Sequence, residues 1–391
     1  MKIIPSDRVQ SIGAYAFAEV DKLVLKLEKQ GIKPTDFGVG DPKEPTPELV
    51  RTACKKAIDD RKSAGYPSYI GTFEFRNAVA VWIKKRFNVD LDPQTEITST
   101  IGSKEAVFNF HEGVINPGDI VLIPNPGYPP MARGTFFAEG HVYYLNLLEE
   151  NDFLPNLQDI PPDIVKKTRV LWINYPNNPT ASIAPKSFFK EAIDFGHDNN
   201  IIVASDEAYS ELYYDKKPMS ILELDREGII TFHSMSKRSK MTCYRIGWVA
   251  GDEEVVSIFR KVKTNIDSGT ATFVQDAAVA ALSDEKHVEE ARNDYKKKKD
   301  IIMAAFREIE LEIREPEGTI YIWQKTPHGM SSLDFVKKLL DKNIAIVGTP
   351  GAWISKEARG VNPGENYVRF ALVPTIGETK QAAERLVKNY K

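Results

Sequence analysis

Between Ile120 and Asp206, short apolar runs alternate with helix-patterned stretches, and this alternation constrains the fold more than any other feature of the chain. Ile120–Pro124, Arg169–Asn174 and Ile201–Asp206 have the length of buried strands, whereas Pro129–Ala138 and Pro185–Asn199 carry helical patterns. Gly228–Phe232 reads as one more buried strand. Repeated strand–helix order predicts an α/β fold: a mostly parallel sheet covered by helices, binding ligands at the carboxyl ends of its strands.

Chemistry collects at those ends. The strand Gly228–Phe232 feeds into Ser234-Met235-Ser236-Lys237, and Arg245 follows in Tyr244-Arg245-Ile246-Gly247. A lysine at the mouth of a sheet, flanked by hydroxyls and an arginine, suits a covalent bond to an aldehyde cofactor carrying a phosphate. The amine takes the aldehyde, and the hydroxyls and guanidinium hold the phosphate. Alone, the same stretch reads as a polar loop after a strand. Thr98–Ile101 is a further strand that Gly102-Ser103-Lys104 turns into a helix, a natural anion site. The Walker frame is missing, so this is not a P-loop. Pro126-Gly127-Tyr128-Pro129, Asn174–Thr180 and Ser205–Tyr209 also follow strands. Singly, each is an ordinary turn or helix cap.

Composition narrows the class. A chain of 391 residues has room for two domains or at most three. Its net charge of −3 leaves no large basic face, which argues against nucleic acid as a main partner. No run approaches the ~18 apolar residues of a membrane span, and Met1–Asp7 lacks the apolar core of a signal peptide. Cys54 and Cys243 are the only cysteines, so neither a disulfide framework nor a cysteine zinc site is expected. A reducing cytoplasm is the simplest location, and no metal site is predicted.

Ala16–Gln30 has the pattern of an amphipathic helix, leading to a short strand and glycine turn at Asp36–Pro42. Thr46-Pro47 reads as an N-cap and first helical position for a helix through Ala57. The aromatic loop Tyr66–Gly71 precedes a helix over Phe73–Phe87. From about Asp284 the pattern changes. A long helix runs through Lys296–Lys299, a block expected to be a solvated face. Strands at Ile320–Trp323, Ile344–Val347 and Tyr367–Leu372, with helices near Ser331–Leu340 and at the C-terminus, read as a smaller α+β domain. The predicted boundaries are 1–45, joining the small domain; 46–283, the large domain; and 284–391, the small domain.

The order and spacing of these stretches, from about Tyr15 to Arg369, resemble the class I/II aminotransferases, pyridoxal-phosphate enzymes of fold type I. The resemblance implies a large domain with a seven-stranded, mostly parallel sheet, and the cofactor pyridoxal 5'-phosphate. It implies that Lys237 bonds to the cofactor and then moves the proton at the substrate α-carbon. Asp206 matches the carboxylate facing the pyridine nitrogen, and Asn178 and Tyr209 match the donors to the phenolic oxygen. Tyr128 matches the aromatic residue stacked on the ring. Ser103, Lys104, Ser234, Ser236 and Arg245 match positions around the phosphate. Arg369 matches the fork for the substrate α-carboxylate, which the Gly40 backbone also approaches. Tyr66 matches a tyrosine that reaches the neighbouring subunit's cofactor, implying a homodimer with shared sites.

Amino acids and 2-oxo acids are the implied substrates. Tyr15, Gly40, the Ser103-Lys104 pair and the Tyr66 loop look most like the LL-diaminopimelate aminotransferase branch, in which Tyr15 and Lys104 contact the distal end of a long substrate. That branch implies a place in lysine biosynthesis, with glutamate and 2-oxoglutarate as the exchange pair. An arginine for a distal carboxylate is missing from Thr264–Thr270, where Lys263 is the cation close by and Ser268 a polar group. Alanine or aspartate as donor is the alternative, and a pyridoxal-phosphate lyase a further one. A transcription regulator's sensor domain would need a DNA-binding module ahead of Tyr15, where no room is expected. Three departures stand out: Cys243-Tyr244 where the family often has Gly-Trp, Ala181 where its turn has glycine, and Arg238 directly after the lysine.

Overall fold

The computed structural model describes residues 1, 3–10 and 18–390. Contacts divide the chain into two compact units. The larger comprises Asp41–Lys296 and Pro316–Ile320; the smaller comprises Met1–Gly40, Lys297–Glu315 and Tyr321–Lys391. The divisions fall after Gly40 and after Lys296, inside the long helix Lys286–Glu308, where the expected boundaries were 45 and 283.

The larger unit is built on seven strands: β1 (Ile97–Thr100), β2 (Ile120–Asn125), β3 (His141–Asn146), β4 (Thr168–Asn174), β5 (Ile202–Asp206), β6 (Ile229–Ser234) and β7 (Gly247–Gly251). Their order across the sheet is β1-β7-β6-β5-β4-β2-β3. Only β7 runs against the rest, pairing antiparallel with both β1 and β6. Helices cover both faces, so β2 and β6 are buried along their whole length and read as continuous apolar runs. The two-residue period of a strand shows in the core. On β4, Leu171 and Ile173 join one apolar cluster with Phe75, Trp82 and Trp248, while Val170 and Trp172 join the other with Phe110 and Phe232.

The strands β3 and β7, and the helices Glu253–Ile266 and Thr272–Leu282, were not expected from the sequence. β3 is a half-buried edge strand, and β7 is short and bounded by glycines. Those glycines have a packing reason. A Cβ on Gly247 would stand 2.3 Å from the His233 carbonyl oxygen, and one on Gly251 would stand 2.2 Å from that of Ile229.

Two further expectations need correction. Thr46 is not a helix cap: the helix Glu48–Asp60 is capped at Pro47, and Thr46 Oγ1 donates instead to the Lys240 carbonyl at 2.8 Å. Nor is the lysine block a wholly solvated face, because Lys298 and Lys299 are buried. Long alkyl stems pack while the amine finds partners, and Lys299 Nζ lies 3.1 Å from Asp300 and 3.2 Å from Glu315.

The smaller unit holds an antiparallel sheet of β8 (Tyr321–Lys325), β9 (Thr349–Pro350) and β10 (Tyr367–Ala371) in the order β9-β10-β8. Thr35–Asp36 pairs in parallel with Ile346–Val347. Among its helices are Ala18–Lys29, Ser332–Leu339 and Ile376–Asn389. Among the described residues, no helix is long and apolar enough to cross a membrane.

Candidate active site

Strand register gathers the polar residues at one edge of the large sheet. Thr100 ends β1 opposite Gly247, and Gly247 also faces Ser234 at the end of β6. Asp206, ending β5, lies beside Phe232 on one side and Asn174, ending β4, on the other. Four strand ends therefore present Thr100, Ser234, Asp206 and Asn174 side by side. This is the carboxyl edge at which a parallel sheet offers a ligand site.

Lys237 stands on the short helix Met235–Arg238. Ser234 caps that turn, its Oγ accepting from the Ser236 N–H at 3.2 Å, which satisfies one of the donors a helix start leaves open. Ser234 and Ser236 are buried and Lys237 is half-buried.

Asp206 is buried, and its Oδ1 accepts a hydrogen bond from the Ala208 N–H at 3.1 Å. Loss of water pushes its carboxyl up to about 7, against the smaller opposing effect of that hydrogen bond. A cation placed against it would restore the charged form. Asn174, for which no role of its own was expected, ties two parts of the site together. Its Nδ2 donates to the Asp206 carbonyl at 2.8 Å, and its Oδ1 accepts from the Asn178 N–H at 3.0 Å. Its only sequence signal is a polar residue closing an apolar run. Tyr209 is buried three residues beyond Asp206. Tyr128, half-buried at the cap of the helix Pro129–Phe137, packs against the cluster around Val107 and Phe110.

An anion cradle completes this edge. Gly102, at φ +71°, caps the helix Ser103–Val114, and a Cβ there would stand 2.6 Å from Arg245 Nη2. The glycine thus lets a guanidinium close over a helix N-terminus, where open N–H groups and the helix dipole favour an anion. Arg245 is itself held at φ +52°, its Nη1 donating to the Thr242 carbonyl at 2.8 Å. Among the described residues, Thr100 Oγ1, buried nearby in the register, has no hydrogen-bond partner. Ser103 is half-buried, and Lys104 on the first turn is exposed.

In the smaller unit, Arg369 on β10 donates from Nη2 to the Gly38 carbonyl at 3.0 Å, and its guanidinium carbon lies 4.6 Å from the Tyr321 ring centre. Gly40 closes the same corner, since a Cβ there would overlap the Tyr321 hydroxyl. Tyr321 was not singled out in the sequence. Tyr66 is 90% exposed on its loop. Tyr15 lies outside the described residues. Lys263 does not offer an open cation: it is buried, 2.8 Å from Asp267 and 3.6 Å from Glu105. Ser268 on the following loop is exposed.

A buried carboxyl, a lysine on the turn that follows the neighbouring strand and an anion cradle along the same edge fit a flat ring bearing a cationic nitrogen, an aldehyde and a phosphate. Comparison with known proteins agrees. The family model for aminotransferase class I and II matches residues 32–386. A protein of Aquifex aeolicus named LL-diaminopimelate aminotransferase is 45% identical over 99% of both chains. A protein of the same name from Halothermothrix orenii is 40% identical over 97% of both. Among solved structures, an aminotransferase from Neisseria meningitidis superposes with a TM-score of 0.91 at 31% identity, covering 98% of this chain and 100% of that one. A variant of Thermus thermophilus aspartate aminotransferase does so with a TM-score of 0.90 at 26% identity, covering 99% and 100%. The chain belongs to the class I and II aminotransferases, enzymes of fold type I that work with pyridoxal 5'-phosphate.

Proposed function

We propose that this aminotransferase exchanges an amino group between LL-diaminopimelate and 2-oxoglutarate, serving lysine biosynthesis in the cytoplasm. The observation that carries the substrate is that full-length relatives at 40–45% identity bear the name LL-diaminopimelate aminotransferase. Neither cysteine is in a disulfide, in keeping with a reducing compartment.

When bound, pyridoxal 5'-phosphate supplies an electron sink for the carbanion at the substrate α-carbon. The chain's residues bind, orient and move protons. The Lys237 amine would hold the cofactor covalently, and the same amine would carry the proton at the substrate α-carbon, which it would reach without diffusion. Asp206 would hold the ring nitrogen, a cation that would oppose the effect of burial on its carboxyl and keep it ionised. Asn178 and Tyr209 would hold the phenolic oxygen, Tyr128 the face of the ring, and Ser103, Lys104, Ser234, Ser236 and Arg245 the phosphate. Arg369 takes the α-carboxylate in a bidentate fork, assisted by the Gly40 N–H. Tyr15 and Lys104 receive the distal amino-carboxyl end, a role for which the buried Lys263 is unsuited.

The working unit is a homodimer in which Tyr66 reaches the neighbouring subunit's phosphate. An exposed apolar patch supports it. Tyr66 and Tyr69 on their loop, and Phe73, Ile266 and Phe273 at the ends of three helices, are all exposed, and Gly269 packs against Ser68 between these segments. A second copy of the chain would cover them.

Adding single amino acids to the holoenzyme and following the cofactor's absorbance tests the substrate. LL-diaminopimelate should discharge the lysine-bound spectrum far faster than alanine or aspartate, and Lys104→Ala should slow that reaction much more than it slows alanine. If alanine or aspartate reacts fastest, the substrate is wrong while the aminotransferase assignment stands.

A further inference from the structure

Arg238, the cation directly after Lys237, is buried, and its guanidinium reaches well beyond its own turn. Its Nη1 donates to Ser239 Oγ at 2.9 Å and to the Ala281 carbonyl at 2.9 Å, while Nη2 lies 2.5 Å from Glu285 Oε1. Trp82 Nε1 donates to the same Glu285 oxygen at 3.1 Å, and its ring lies 5.5 Å from the guanidinium carbon. The wholly buried Ser239 stands 2.9 Å from His287 Nε2, and His287 Nδ1 stands 2.7 Å from Asp284 Oδ2. One direction of donation satisfies this chain. Arg238 gives to Ser239, Ser239 gives to the bare Nε2 of His287, and His287 gives from Nδ1 to Asp284. That direction requires a neutral imidazole, and burial and the nearby Arg238 both lower the His287 pKa, outweighing Asp284.

The helix that carries Lys237 is a single turn, too short to hold itself. Ser234 fixes its start. Its end is Ser239, whose N–H donates to the Met235 carbonyl at 3.0 Å and whose hydroxyl sits inside the chain just described. We infer that the Arg238–Ser239–His287–Asp284 chain positions Lys237, holding the turn that aims its amine; Arg238, Ser239 and His287 are positioning residues for the proton transfer. The inference rests on Lys237 being the cofactor-bearing lysine. Arg238 suits the task because its planar fork engages Ser239, Ala281 and Glu285 at fixed angles, which an ammonium on a flexible stem cannot match.

Three variants test it: Ser239→Ala, His287→Gln and Arg238→Lys. Each is measured for kcat and KM, for the pH midpoint of the lysine-bound cofactor's absorbance, and for thermal unfolding without cofactor. A displaced amine should lower kcat by about tenfold or more with KM little changed. It should also shift the spectral midpoint, with Ser239→Ala still folding. If kcat and midpoint stay native in Ser239→Ala and His287→Gln, whether or not unfolding is earlier, the chain serves stability alone and the inference fails. Lys237→Ala separates the two claims: a lysine-bound spectrum surviving in that variant overturns the assignment of Lys237 instead.

Discussion

Asp206 shows how burial sets up chemistry at a single residue. Without a cofactor its carboxyl rises from 3.8 to about 7 as water is lost. The folded chain then binds a proton more readily than the unfolded one, so this group's stabilising effect is complete below its unfolded pKa and fades as pH rises toward 7. Each unit of pKa difference is worth about 1.4 kcal/mol. Cofactor-free Asp206→Asn should therefore lose less stability than the native chain between pH 5 and pH 8, while binding the cofactor more weakly. Thermal unfolding across that range measures it, with Glu207, also raised to about 7, leaving some slope in both proteins. An identical slope in the two would contradict the burial account. Lys237 and Asp206 stood out in the sequence only as members of an ordered set, since each stretch alone reads as an ordinary loop or helix cap after a strand. The partners of Arg238 did not, since Ala281 and Glu285 lie more than 40 residues away along the chain. Ala181 was legible only as a departure; its φ of +61° gives the reason glycine suits that turn, an L side chain there costing roughly 1 kcal/mol.

At the scale of elements, the strands buried on both faces were the readable ones. β2, β4, β5 and β6 are apolar runs closed by a polar residue, and the sequence placed each within a few residues. β3 and β7 were not read, because an edge strand keeps polar positions and a glycine-bounded one lacks a long apolar run. That omission mattered for the site. β7 joins β1 to β6, and without it the cradle at Gly102 and the lysine turn have no common register. The start of the helix Ser103–Val114 was read as an anion site from the sequence, but the closure of Arg245 over Gly102 required the fold.

For the whole molecule, the proposed homodimer with a shared site, which would cover the exposed Tyr66 and Phe273, can be tested by exchange of subunits. Mixing Tyr66→Ala with Lys237→Ala chains should restore part of the activity that each lacks, because a hybrid dimer holds one intact composite site. No recovery after demonstrated subunit exchange would argue against sharing. The central claim, that the strand-edge site is built around Lys237, meets its most direct test in borohydride reduction of the holoenzyme, followed by digestion and mass spectrometry. The pyridoxyl phosphate group should be found on the peptide carrying Lys237 and be lost in Lys237→Ala; a label on another lysine, or none at all, would contradict the account.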